Sequence, residues 1–218
     1  MIPSIITPMR FTLVRDAICE LLASERDNQI TLLKEQGLSD FEISQKFDFT
    51  VYPKRYRFPD IDEMPCVFMY FTDMEFPTDE QDIFDNYAVA KFQVEYYTAG
   101  ENEEDGINLF KTADESADDR LNYLTAQIYK TLCSEETNVY KGTQNLVKSF
   151  TLKRWKRTQT PDEANEARTI LGGLFEFEVG FDEPTYYTNT IDVEEFYKTL
   201  RVRDEFISPY IRQILKVK

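Results

Sequence analysis

Histidine is absent from this chain of 218 residues, and cysteine is scarce. Without histidine the chain cannot form a Ser-His-Asp or Cys-His catalytic arrangement. It also lacks the side chain most often used as a general base and as a transition-metal ligand. The three cysteines, Cys19, Cys66 and Cys133, lie far apart without a Cys-x-x-Cys pair, so they indicate no zinc site. We expect three buried free thiols in a reducing compartment.

Other motifs are also missing. The 7 glycines and 9 prolines are too few for a fibrous or low-complexity protein. No phosphate-binding glycine motif occurs, and Gly172-Gly173 opens a predicted strand, where a close backbone approach or a bulge explains it better. No apolar run approaches the roughly 18 residues of a membrane span. Residues 1–10 lack the basic and apolar regions of a signal peptide. We therefore expect a cytosolic product without a membrane partner.

The charge is strongly negative. The 25 Lys and Arg against 40 Asp and Glu give a net charge of −15, which repels phosphate backbones and anionic membranes. One segment, the basic run, has the opposite charge, and it consists of Lys153, Arg154, Trp155, Lys156 and Arg157. Arg and Trp side chains can contact nucleic acid. Because acidic residues follow on the next predicted strand, we favour ion pairing within the sheet or between subunits.

Two acidic segments match the sequence pattern of a cation-binding site only in part. Residues 101–112 carry alternating acids and a sixth-position glycine, but Thr112 stands where a calcium loop needs a bidentate Glu. Asp60, Asp62 and Glu63 lie between two prolines, as in an exposed turn. We predict no metal, no cofactor and no catalytic residue.

Apolar periodicity predicts two long helices. In the first, which Pro8 could start and Gly37 could end, the apolar residues are Phe11, Val14, Ile18, Leu21, Leu22, Ile30 and Leu33. In the second they are Ala117, Leu121, Leu124, Ile128 and Leu132. Because strand-like segments flank the second helix, we expect it to lie across one face of a sheet.

Alternating and β-branched segments predict five strands, at residues 47–51, 66–71, 87–97, 150–157 and 171–181. The last two flank a polar loop and should form a long antiparallel hairpin. The predicted fold class is α+β, an antiparallel or mixed sheet of about five strands with two helices packed on it. Residues 1–184 form this domain, and residues 185–218 form a partly helical C-terminal extension.

The extension carries apolar residues outside the sheet domain, and Pro209 interrupts its helical pattern. Such residues need a partner surface in the same subunit or in another. We expect an intermolecular contact that involves Phe206, Tyr210 and Ile211.

The order of these elements resembles the tail terminator proteins of tailed bacteriophages and contractile injection particles, also called tail completion or head–tail joining proteins. The resemblance covers about residues 8–183 and depends on topology and size. The elements that carry it are the helix at 11–33, the strands at 66–71 and 87–97, the helix at 117–132, and the hairpin of 146–157 with 171–181.

The resemblance implies a virion structural protein, assembled in the host cytoplasm, that forms a hexameric ring on the tail tube. Such a ring stops tube polymerisation and docks the head connector. The implied partners are further copies of the chain, the tail tube protein, the head–tail connector proteins and, in contractile particles, the tail sheath. DNA is implied only as cargo passing through the channel.

Three other functions stay open. The chain would also suit another neck, tube or baseplate component of the same particle. An acidic protein that mimics DNA or inhibits a DNA-acting enzyme would show its carboxylates in duplex-like rows. A Mg²⁺-dependent enzyme would bring Asp60, Asp62 and other carboxylates together in a pocket.

Overall fold

The computed structural model describes residues 9–54, 58–77, 85–104, 109–134, 139–143, 146–158 and 168–184. All of them belong to one compact unit, Thr7–Thr185. The C-terminal extension, Pro8 and residues 78–84 lie outside the described residues. No helix in the described part of the chain is long and apolar enough to cross a membrane.

The chain has an α+β order, in which two groups of helices each precede a group of strands. The α-helices are α1 (Arg10–Glu35), α2 (Asp40–Lys46), α3 (Ala113–Cys133) and α4 (Val139–Gly142), with a 3-10 turn at Ile61–Glu63. The strands are β1 (Thr50–Tyr52), β2 (Cys66–Glu75), β3 (Asp85–Glu101), β4 (Glu103–Glu104), β5 (Leu109–Lys111), β6 (Ser149–Thr158) and β7 (Arg168–Pro184).

Five strands form the main sheet, in the order β1-β2-β3-β7-β6, while β4 and β5 pair separately. The short β1 runs parallel to β2, and the other neighbours are antiparallel. The sheet is therefore mixed, and β6 and β7 form the predicted long hairpin. The predicted fold class is confirmed.

The first helix has the predicted bounds to within about two residues. Val14, Ile18 and Leu22 are buried against the sheet. The helix ends because Gly37 adopts a positive φ of 88°, which lets the amides of Gly37 and Leu38 bond back to the last turn. At the start, Met9 offers no side-chain cap, and the Glu183 carboxylate accepts the Arg10 amide instead, at 2.9 and 3.1 Å. A carboxylate is favourable at this positive end of the helix.

The helix α3 crosses the inner face of the sheet over β3 and β7, as predicted. Its apolar stripe is buried throughout. The helix begins four residues earlier than its stripe because Thr112 caps it. The Thr112 hydroxyl accepts the Glu115 amide, and the Glu115 carboxylate accepts the Thr112 amide in return. Thr112, the residue that breaks the calcium-loop pattern, is thus a helix cap.

The segment before β1 differs from the prediction. Residues 47–51 were expected to form a strand, but α2 extends to Lys46 and only Thr50–Tyr52 is extended. Ser39 and Glu42 form a capping box that starts α2, and Phe47 is the C-terminal cap of this helix, so the extended chain begins only at Thr50. The helix α4 was also not predicted, and β2, β3 and β7 are longer than expected.

Gly172 and Gly173 of β7 lie in a regular part of the strand without a bulge, and each lies against an aromatic ring. A Cβ on Gly173 would lie 2.5 Å from the Tyr96 ring, and one on Gly172 would lie 2.8 Å from the Tyr97 ring. The prediction of a close backbone approach or a bulge is therefore wrong, because the approaching groups are side chains of β3 and, at Gly172, also the Thr158 hydroxyl of β6. Both glycines pair in regular register with β3.

Candidate assembly surface

The basic run lies entirely on β6, the terminal strand of the main sheet. All five of its side chains are exposed. On one side β6 pairs with β7, and the register shifts between Leu152 and Arg154, where a bulge places Lys153. We call the opposite side, from Leu152 to Thr158, the open edge, since the described residues supply no further strand there.

Every cation of the basic run has a carboxylate partner. Arg154 holds Glu176 with two hydrogen bonds of 2.6 and 2.7 Å. Lys153 pairs with Glu178 at 2.7 Å. Lys156 lies 4.0 Å from Glu176, and Arg157 lies 2.6 Å from Asp118 on α3. The expected pairing within the sheet is confirmed, and a nucleic-acid phosphate would have to compete with it.

The contact between Arg154 and Glu176 shifts the pKa of both groups. Hydrogen bonds from Arg154 lower the pKa of the Glu176 carboxyl, and the same contact raises the pKa of the Arg154 guanidinium. Both groups are close to solvent, so the pair adds little to the stability of the fold. Its main effect is geometric, because it fixes β6 against β7.

Trp155 is exposed by 47% yet held in one orientation. Its indole N–H donates to the Tyr96 hydroxyl at 2.6 Å, and that hydroxyl also bonds the Thr125 hydroxyl at 2.8 Å. Burial raises the pKa of Tyr96 to about 12, so the phenol stays protonated. The sequence pattern grouped Trp155 with its basic neighbours. It did not indicate the contact with Tyr96, because the two residues lie 59 positions apart in the chain.

The first residues of β6 are covered. The Phe150 amide donates to the Tyr140 hydroxyl of α4 at 2.8 Å, away from β7. Tyr140 therefore occupies the place that a neighbouring strand would take. This cover ends before the basic run, so the open edge begins where the cations begin.

A second candidate surface lies on the helices. A groove of about 420 Å³ runs between α1 and α3 and is flanked by the rings of Phe47 and Tyr123, whose centroids are 5.4 Å apart. Nearby in sequence, Phe41 on α2 is 73% exposed. A groove of this size can accept one or two side chains of a partner.

The cysteines are poorly suited to nucleophilic chemistry. Cys19 and Cys66 are buried, as expected, and burial raises the pKa of each thiol to about 12. Cys133 was expected to be buried, and this expectation is wrong. The residue is exposed because it is the last residue of α3 and lies on the solvent side of the helix. Desolvation raises the pKa of Cys133 too. None of the three thiols is therefore activated as a thiolate.

The acidic residues of α3 line a shallow groove, but they are engaged within the chain. Asp118 pairs with Arg157, Asp119 with Lys111, and Asp114 accepts a hydrogen bond from Thr169. Within the described ranges, no group of three or more metal-ligating side chains lies together. Asp60 precedes the 3-10 turn and Asp62 lies within it, and both are exposed, as predicted for that segment.

The other predicted interface residues, Phe206, Tyr210 and Ile211, lie outside the described residues. The chain matches no protein-family model. It has no significant match among curated proteins. Proposals about its function therefore depend on the residues and the fold.

Proposed function

We propose that this chain is a structural protein of a tailed phage particle, a tail terminator that forms a ring of six at the head-proximal end of the tail tube. Its task is to stop tube polymerisation and to join the tail to the head connector. The observation that supports this most is the arrangement of elements. One long helix leads into a mixed sheet, α3 crosses its inner face, and the β6–β7 hairpin completes it. The resemblance to tail terminators depends on the same order.

The surface also favours assembly. Large apolar side chains are exposed on several elements, among them Leu13 on α1, Phe41 on α2 and Trp155 on β6. Aromatic anchors that are already fixed in place lose little entropy when a partner binds. Between β6 and β7, by contrast, the side chains form ion pairs, as in Lys153 with Glu178 and Arg154 with Glu176.

A ring of this chain would be strongly acidic. Six chains of −15 each carry −90 before any partner binds. If part of this charge lines a central channel, DNA passes without adhering to the wall. Mapping the channel-lining residues of the assembled ring tests this, and a wall dominated by Lys and Arg would refute it.

The terminator role has a direct genetic test. A particle with a nonsense mutation in this chain should produce tail tubes longer than those of the wild type, together with filled heads that carry no tail. Supplying the wild-type chain from a plasmid is the control and should restore both length and joining. Tubes of uniform wild-type length without the chain would favour a different neck or baseplate component.

The C-terminal extension is the part of the chain that we expect to contact a neighbour or a particle partner. A chain ending at Thr185 should keep the thermal unfolding transition of the sheet domain but lose assembly. A full-length variant with Phe206, Tyr210 and Ile211 replaced by Ala separates side-chain contacts from mere length. Assembly that survives both changes would count against this role.

The DNA-mimic alternative receives less support from the geometry. Such a protein needs carboxylates free to imitate phosphates. On α3 the acidic side chains of Asp118 and Asp119 already pair with basic residues of the same chain. A monomer that competes with DNA for a basic enzyme would revive this alternative.

A further inference from the structure

The groove between α1 and α3 contains an unpaired amide. The side chain of Gln127 lines this groove, and both of its polar atoms are buried without a hydrogen-bond partner among the described residues. Buried amides without partners are unfavourable and therefore rare in folded proteins. Because this amide makes no hydrogen bond, turning it toward the groove breaks none. Its adjacent donor and acceptor are complementary to those of a second amide.

One cation of the same groove is also unpaired. Lys130 follows Gln127 by three residues and therefore lies on the same face of α3. No carboxylate of the described residues forms an ion pair with its exposed ammonium group. Neighbouring polar groups do have partners, since Gln29 donates to Glu25 at 2.7 Å and Thr131 donates to the main-chain carbonyl of Gln127 at 2.8 Å. The groove therefore lacks an amide and an anion.

One segment of the C-terminal extension supplies both groups. Residues 185–218 carry two amide side chains, those of Asn189 and Gln213. Three residues after Asn189 comes the anion Asp192, whereas three residues after Gln213 comes the cation Lys216. An amide followed by an anion at this spacing is the complement of the amide and the cation on α3.

The reach of the chain assigns this segment to a second copy. Tyr129, two residues beyond Gln127 on α3, stacks on Phe175 with ring centroids 6.3 Å apart. From Phe175 the strand β7 runs on to Pro184, over a distance of about 30 Å. The five residues from Pro184 to Asn189 span at most about 17 Å. The segment therefore falls short of the groove of its own chain.

We propose that the groove between α1 and α3 binds residues 186–196 of a second copy of this chain. The amide of Asn189 pairs with that of Gln127. The carboxylate of Asp192 pairs with the ammonium group of Lys130. The two tyrosines that open the segment are suited to the aromatic rings beside the groove.

This contact is head-to-tail, because the groove and the segment that fills it are different surfaces. Repetition of such a contact closes a ring when the rotation between copies allows it. The inference rests on the proposed ring function and assigns one of its interfaces.

A reciprocal charge exchange tests the ion pair. Lys130→Glu and Asp192→Lys should each weaken association of the full chain about tenfold, and the double variant should associate nearly as well as the wild type. Sedimentation velocity measures the association, and far-UV circular dichroism verifies that each variant is folded. A double variant that associates no better than K130E would overturn the pairing.

Two matched controls accompany the exchange. Lys54→Glu makes the same charge change at another exposed lysine without an ion-pair partner among the described residues, and it should associate like the wild type. Glu194→Lys lies two residues from Asp192 and should not rescue K130E. Rescue by E194K as complete as that by D192K would indicate a net-charge effect and overturn the assignment.

Gln127→Leu tests the amide. The substitution keeps a similar size and leaves no partner within the described part of the subunit unpaired, so the subunit should remain folded. We expect association to weaken about tenfold, because Asn189 loses its partner. Association equal to that of the wild type would show that this amide does not serve the contact.

Photo-cross-linking in the full chain identifies the occupant. A benzoylphenylalanine replaces Tyr123, which lines the groove, and a matched control carries it at Leu13; the two residues are exposed by 45% and 52%. Equal amounts of ¹⁴N- and ¹⁵N-labelled chains are mixed before assembly. The expected product joins position 123 to residues 186–196 of the differently labelled copy, with a different product or none from position 13.

The other outcomes are distinct. A link from position 123 to another segment, or to residues 186–196 of the same chain alone, would overturn the choice of occupant. A ring of six without any intermolecular link from position 123 would overturn the inference while leaving the ring function intact. A single-chain mass at every concentration would instead refute the ring function, and this contact with it.

Discussion

At Gly100 the backbone of α3 lies close against β3, and replacing this glycine should be costly. A Cβ at this position would lie 2.1 Å from the carbonyl oxygen of Ala113 and 2.3 Å from the amide nitrogen of Ala117. Non-bonded contacts to carbon normally need about 3.5 Å, so the first turns of α3 would have to move by roughly 1 Å. Both contacting groups belong to the backbone and cannot rotate away.

Overpacking of this kind costs about 1–3 kcal/mol, and rigid backbone neighbours place Gly100→Ala at the upper end, near ~3 kcal/mol. For a domain of this size that lowers the melting temperature by roughly 6–12 °C. Urea unfolding followed by far-UV circular dichroism measures the change in the free energy of unfolding.

Gly37→Ala is the matched control for this substitution. Its new Cβ would meet nothing within 4 Å, and only the positive φ of 88° is unfavourable, at about 1–2 kcal/mol. We therefore expect G100A to be the more destabilising of the two. If G100A unfolds at the same urea concentration as G37A or later, the close packing of α3 on β3 is refuted.

Three further predictions concern the candidate surface and the core. Tyr96→Phe removes the acceptor of the Trp155 indole N–H. It should lower the free energy of unfolding by about 1–3 kcal/mol and shift the fluorescence emission of the sole tryptophan. An unchanged spectrum and an unchanged stability would contradict the contact. At pH 8 a thiol reagent should modify Cys133 alone in the native protein, and all three thiols once urea is added; rapid native modification of two or more would show that the core is open. Because the pKa of Glu176 is lowered in the folded state, the stability from its pair with Arg154 is present above the ordinary value of 4.5 and lost as the pH falls through the lowered value. Arg154→Met should flatten this part of the stability–pH curve, and a curve identical to that of the wild type would contradict it.

The helices and the hairpin could be predicted from the sequence because their burial follows a period. On α3 every residue of the apolar stripe from Ala117 to Leu132 is buried, since one face of a helix meets the sheet. The polar loop between the last two predicted strands also indicated their pairing as a hairpin, and the opposite charges of the two strands then indicated ion pairs between them. In both cases the pattern is local, or joins two neighbouring strands.

The remaining features depend on contacts between distant segments. Nothing local indicates that β1 runs parallel to β2, because the connection between them, and not the strand residues, sets its direction. Phe47 and Phe49 alternate like a strand, but Phe47 ends α2 and Phe49 lies in the connection to β1 with its side chain buried in the core. The orientation of Trp155 likewise depends on Tyr96, which the fold brings beside it.

The most direct test of the ring is the mass of the purified full chain in native mass spectrometry over a wide range of concentrations. If the chain forms the proposed ring, we expect a discrete species with the mass of six chains of 25.7 kDa each, formed without any added ligand or metal. A single-chain mass throughout that range would contradict it.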